Sequence, residues 1–154
     1  MEGIKRILVG CDFSEYSARI VKFAVQLASQ LGAELIVLNV VNKRDVEAIE
    51  RVEREYPAIS AEKYLDDLKK ERSRLMDDLL RETGLPRISV TKIVRAGVPF
   101  RTILEVVAEE KADLVVMGTR GRSNLAGVLF GSTAEKVFRR CPVTLVSVRS
   151  EETA

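Results

Sequence analysis

The chain has no histidine and no tryptophan, only two cysteines and four prolines, and 5% aromatic residues. Without histidine there is no Ser-His-Asp or Cys-His nucleophilic site, no His-ligated zinc and no His-based acid–base chemistry. Cys11 and Cys141 are too few for a zinc site and too far apart for a Cys-x-x-Cys motif. They read as buried, reduced thiols of a cytoplasmic protein. Neither sign of charge dominates: 25 Lys and Arg against 23 Asp and Glu leave a net charge of +2. Such a balance argues against a nucleic-acid partner. No apolar run approaches the ~20 residues of a membrane span, and none follows a basic start as in a signal peptide. Neither a membrane nor an export route is therefore expected.

What remains is an ordinary globular composition, 46% apolar and 31% charged over 154 residues. That length predicts one domain, 1–154, with a core that needs no disulfide or metal. Apolar runs at Ile4–Gly10, Leu35–Val41, Leu114–Met117 and Val143–Val148, and a more alternating one at Ile88–Val94, read as strands. Strands apolar on both faces belong to parallel sheets covered by helices on both sides. Helical patterns lie between them. Residues 15–31 place Ile20, Phe23, Ala24, Leu27 and Leu31 on one face, with Ser14 as N-cap and Gly32 as stop. Residues 61–83 carry a stripe of Tyr64, Leu65, Leu68, Leu75, Met76, Leu79 and Leu80 that ends before Gly84 and Pro86. Residues 99–110 turn Ile103, Leu104, Val107 and Ala108 inward, with Pro99 in the first turn. Residues 133–140 are a short helix preceded by a Ser132–Glu135 capping box. Residues 43–60 read as a variable, solvated, partly helical insertion, and 150–154 as a tail. The alternation predicts an α/β fold, a doubly wound five-stranded parallel sheet of order 3-2-1-4-5 with helices on both faces.

Ligands of such sheets bind beyond the carboxyl ends of the strands where the winding reverses. Gly10-Cys11-Asp12-Phe13-Ser14 closes the first strand and Met117-Gly118-Thr119-Arg120-Gly121 the fourth, and the expected order makes these neighbours. The second loop holds Gly118, Gly121 and Gly131, followed by Ser132 and Thr133. These glycines suit close backbone approach, a positive-φ turn and an open helix N-terminus that favours an anion. The same residues also suit a plain turn with Ser132 as a cap, and the loop alone does not choose between the two. Other phosphate motifs are missing: no Gly-x4-Gly-Lys-Ser/Thr, no GxGxxG after the first strand, and too few aromatics for a flavin, with Phe13 and Phe130 reading as core or turn residues.

The spacing Gly-x2-Gly-x9-Gly-Ser, here Gly118, Gly121, Gly131 and Ser132, resembles the ATP-binding signature of the universal stress protein family. The similarity extends collinearly over residues 3–149. It includes Ile7–Ser17 with its Asp-x-Ser turn, Leu35–Val41, Ala96–Pro99, Ala112–Ser123 and Cys141–Val148. The resemblance implies a Rossmann-like fold of the adenine nucleotide alpha hydrolase type, with ATP or another adenine nucleotide bound. Asp12 and Val40 would then meet the adenine, Gly10 and Cys11 the base and ribose, and Met117 and Gly118 the ribose. Gly121, Gly131, Ser132 and Thr133 would hold the phosphates, with Mg²⁺ or Mn²⁺ on the phosphate oxygens and no protein metal ligand. Arg120 stands where the family often has histidine and Cys11 where it often has a hydroxyl residue; Arg120 and Arg122 would add charge-assisted bonds to phosphate.

Without a Walker lysine, a histidine or a water-orienting residue, transition-state stabilisation is thin, so no catalytic residue and at most slow ATP hydrolysis are expected. The reading is a nucleotide-dependent regulatory or stress-response module with a protein partner of unknown identity. The alternative is a dimeric adaptor of the same fold that binds no nucleotide. An adenylyl-transferring enzyme is disfavoured by the missing histidine motifs. The last strand, with Val143, Leu145, Val146 and Val148, would lie at an uncharged sheet edge that invites pairing. The resemblance implies a homodimer through it.

Overall fold

The computed structural model describes residues 3–84, 87–120 and 131–149. Its elements are β1 (Arg6–Gly10), α1 (Ser17–Leu31), β2 (Glu34–Asn42), α2 (Lys43–Glu55), α3 (Ala61–Glu82), β3 (Val90–Gly97), α4 (Pro99–Glu109), β4 (Leu114–Gly118), α5 (Ser132–Arg140) and β5 (Thr144–Val148). The strands form one parallel sheet in the order β3-β2-β1-β4-β5, as the alternation of patterns predicts. Successive residues of a strand point to opposite faces. Ile7 and Val9 of β1 therefore pack with Ala24, Ala28 and Met76 under α1 and α3. Leu8 packs with Ile36, Ile103, Val106 and Val137 under α4 and α5. Both faces are buried, which is why these strands read as unbroken apolar runs.

Several expectations are corrected in detail. The stretch 43–60 is partly helical, as expected: its helix α2 has Asn42 at the N-cap, which accepts from the Arg44 N–H at 3.1 Å, and none of its residues is fully buried. Ser14 does not cap α1, which starts later and has Tyr16 at its N-cap, because residues 14–17 first make a tight turn in which the Ser17 N–H donates to the Ser14 carbonyl at 3.0 Å. Ser132 is the first helical residue of α5 rather than its cap. Gly131 holds the cap position with no side-chain bond, so the expected capping box is not formed. β3 runs to Gly97, paired opposite Asn42, rather than stopping at Val94, since β2 supplies ladder partners that far. Phe23, Leu31 and Tyr64 are exposed rather than inward; α1 instead buries Ile20, Val21, Ala24, Val25 and Ala28, a stripe rotated toward its smaller residues so that the helix sits close to the sheet. On α4 the buried set is Thr102, Ile103, Val106 and Val107, with Ala108 outside it. Of the two thiols only Cys11 is buried; Cys141 is half-buried. The 150–154 tail, Pro86 and Phe130 lie outside the described residues.

Met76 of α3 is fully buried between the helix layer and β1. Met76→Ala is expected to lower stability by about 2–5 kcal/mol through lost burial and the void left behind, measured as a drop in the urea midpoint.

Candidate functional site

The helices that follow β1 and β4 leave on opposite faces of the sheet, α1 with one apolar layer and α5 with the other. Between the strand ends they open a cleft of about 410 Å³, within the range of small-molecule sites. Gly10, Cys11, Asp12, Val40, Met117, Gly118, Arg120, Gly131, Ser132 and Thr133 line it. They come from four separate stretches of the chain. Gly121 and Arg122, also expected here, lie outside the described residues.

On the β1 side, the Cys11 N–H donates to the Leu38 carbonyl at 2.8 Å, extending the ladder one step past the strand. The chain then turns sharply. Asp12 Oδ1 accepts from the Ser14 N–H at 2.9 Å and from Ser17 Oγ at 3.1 Å, which ties the carboxylate to the start of α1. Both bonds fall on Oδ1; among the described residues Oδ2 accepts none. Phe13 carries a φ of 59°, unusual for a bulky side chain, and packs against the core beneath α1. Burial pushes the Cys11 thiol up from its ordinary value, against the lowering effect of bonds from the Phe13 backbone and Ser17. Cys11 is thus a protonated wall group and not a nucleophile.

On the β4 side the wall is bare backbone. A Cβ on Gly118 would run into Ile20 Cδ1 and come within 3.3 Å of the Arg120 carbonyl. Thr119, 3% exposed, pins the next segment: its N–H donates to the Val148 carbonyl at 3.2 Å and its carbonyl accepts from the Gly131 N–H at 2.8 Å. That bond delivers the amino end of α5 to the cleft. With glycine at the cap and no side-chain bond there, the first-turn N–H groups and the Ser132 and Thr133 hydroxyls form an anion-favouring end.

The cleft has a third wall that the sequence reading passed over. Asn39, Asn42, Arg44, Asp45 and Arg72 line it, together with Leu38, Pro99 and Ile103. The stretch read as a solvated insertion therefore supplies Arg44 and Asp45. Asn39 was detectable as the one amide inside the apolar run Leu35–Val41, and Arg72 as the charged residue that interrupts the apolar stripe Leu65, Leu68, Met76 and Leu79. Taken together, the cleft offers an apolar floor, backbone donors at one end, the carboxylates of Asp12 and Asp45 and the arginines Arg44, Arg72 and Arg120. Among the described residues no group of three or more His, Cys, Asp or Glu could hold a metal ion, and no helix is long and apolar enough to cross a membrane.

Asp12 holds its turn even without a ligand. Asp12→Ala is expected to lower the unliganded protein's stability by roughly 1–2 kcal/mol, while Asp12→Asn, which keeps an Oδ1 acceptor, retains most of it; thermal unfolding of both variants measures the difference.

Comparison with known proteins agrees with this architecture. Residues 3–149 match the universal stress protein family. A universal stress protein of Thermus aquaticus is 33% identical over 148 residues, covering 92% of this chain and 98% of the relative. The solved structure of hypothetical protein MJ0577, from Methanocaldococcus jannaschii, is 25% identical with a TM-score of 0.81 and covers 99% of this chain and 100% of that one. A universal stress protein solved in complex with cAMP is 26% identical with a TM-score of 0.65, over 96% of this chain and 98% of that one. A family match over residues 3–149, joined to the same α/β fold, makes this chain a member of the universal stress protein family.

Proposed function

We propose that the cleft binds ATP or a related adenine nucleotide and that the protein is a nucleotide-dependent regulatory module of a stress response. One observation carries the reading: residues from four separate stretches, singled out for nucleotide contact, line one cleft of suitable size. The phosphates lie at the α5 end, where Gly118 and Gly131 leave backbone exposed and where Ser132, Thr133 and Arg120 add donors; Gly121 and Arg122 belong to the same proposal. The base lies at the β1–β2 end, against Gly10, Cys11, Asp12 and Val40, with the ribose beside Met117. A relative solved with cAMP supports an adenine nucleotide as the ligand class. Mg²⁺ or Mn²⁺ rides on the phosphate oxygens and neutralises their charge. Two thiols without a disulfide fit a reducing compartment such as the cytoplasm.

Binding dominates over catalysis in this reading. The wall groups hold and orient a triphosphate, but Asp12 sits at the base end, away from the terminal phosphate, and Cys11 is protonated. Occupancy shifts the population toward one arrangement of the α5 end, which a protein partner or second subunit reads. Addition of millimolar Mg-ATP to the purified protein is expected to raise the thermal midpoint, with turnover below about 1 s⁻¹. A midpoint that does not move sinks the nucleotide reading in favour of the adaptor, and faster turnover sinks the regulatory one.

We also propose a homodimer through β5. This strand is the sheet edge beside β4; Val143, Leu145, Val146 and Val148 are half-buried against the two apolar layers, and the uncharged edge has room for a second strand. Val146→Lys is expected to shift the mass found by light scattering from dimer to monomer with the circular dichroism unchanged; a folded variant that stays dimeric rules this interface out.

A further inference from the structure

We infer that Arg72 is a base-reading residue of the cleft, donating to a ring nitrogen of the bound adenine, and that Asn39 positions it. The inference rests on the nucleotide reading above and names a contact which that reading does not contain.

Asn39 is the starting point. It lies in the middle of the sheet on β2 and is only 2% exposed. A buried amide costs about 1–3 kcal/mol unless its polar atoms are bonded, and here both ends are. Nδ2 donates to the Cys11 carbonyl at 2.7 Å. Oδ1 accepts from Arg72 Nη1, also at 2.7 Å and 33 residues further along the chain. One side chain thus fixes two walls of the cleft relative to each other: the backbone that closes β1 and the guanidinium that arrives from α3. With each end of the amide committed, Asn39 acts through its neighbours.

Arg72 occupies a position where an apolar residue is expected. Leu65, Leu68, Met76 and Leu79 surround it at spacings of three and four on the inner stripe of α3, so its helical phase turns it toward the sheet and not toward water. A charged side chain on that stripe gives up hydration that leucine would not have. The bond from Nη1 to Asn39 Oδ1 orients the guanidinium plane from one edge. The guanidinium lines the cleft.

Position decides which part of the ligand it meets. The anion-favouring groups belong to β4 and α5, whereas Asn39 and Arg72 stand on the β2 flank. β1 separates β2 from β4, which sets the two flanks two strand spacings apart, roughly 10 Å. With the phosphates at the α5 end, a cation on this flank stands on the side where the base is proposed to lie, beside Val40. A guanidinium only donates, and the adenine ring nitrogens only accept. The Asp12 carboxylate only accepts, and the adenine amino group donates. Asp12 and Arg72 together present one acceptor and one donor, a polarity that adenine matches.

Calorimetric titrations with ATP and with inorganic tripolyphosphate separate a base contact from a phosphate contact. Arg72→Gln is expected to weaken ATP roughly tenfold or more and to leave tripolyphosphate within about twofold. Arg72→Lys, which keeps the charge and loses the planar fork, is expected to behave like Arg72→Gln. Wild type is expected to lose the same factor with one of the 1-, 3- or 7-deaza analogues of ATP, and Arg72→Gln to bind that analogue and ATP alike. Because Asn39 Oδ1 loses its donor, the unliganded variants are expected to melt a few degrees below wild type, and unchanged circular dichroism together with retained tripolyphosphate binding shows that the fold is kept. Equal weakening of ATP and tripolyphosphate, rescue by lysine, or unchanged ATP affinity in Arg72→Gln overturns the inference while the nucleotide reading stands. Wild type that binds neither ligand overturns both.

Discussion

The whole arrangement depends on a parallel sheet buried on both faces. Each strand must send its chain back through a helix, and helices must cover both sides. The chain leaves β1 through α1 on one face and β4 through α5 on the other. Two neighbouring strands whose continuations diverge leave a gap at their carboxyl ends that no core residue fills. The cleft is a consequence of the winding, and its lining residues belong to chain segments far apart in sequence.

Local interactions turn that gap into a shaped site. Asp12 ties the end of β1 to the start of α1, and the Thr119–Gly131 bond brings α5 back to the end of β4. Gly118 keeps one wall as bare backbone, since a side chain there meets Ile20. Asn39 joins the β1 end to α3. Each of these groups holds two elements together while facing, or directing another group toward, the same space. Truncating Asp12 or Asn39 therefore disturbs stability and binding together, and ligand-free measurements separate the two effects.

Strand order and the strand-end location of the cleft were legible in the sequence because they follow from periodicities that local sterics impose. The glycines and Asp12 were legible because a small residue or an Asx turn at a strand end has few alternative reasons to be there. The ends of elements were less so. Ser14 and Ser132 look like caps, yet α1 starts behind Tyr16 with no side-chain cap bond, and Ser132 begins its helix behind Gly131. A cap is decided by which nearby oxygen reaches the orphan N–H groups first, and one-dimensional spacing does not rank them. The charged stretch after β2 was legible as partly helical but not as a wall of the cleft, because its charges look the same on a solvated face as beside a ligand site.

Periodicity, glycine spacing and the absence of histidine by themselves determined the fold class, the family resemblance and the exclusion of histidine chemistry. These depend on residue types and on separations along the chain, which the covalent order contains. Tertiary structure alone decided the third wall of the cleft, where Arg44, Asp45 and Arg72 meet Asn39. It also decided that Arg72, whose helical phase already turns it inward on α3, meets Asn39 across the cleft wall. Such contacts arise from how α2 and α3 settle on the β2–β3 edge, a packing outcome summed over many weak interactions that no local pattern along the chain encodes.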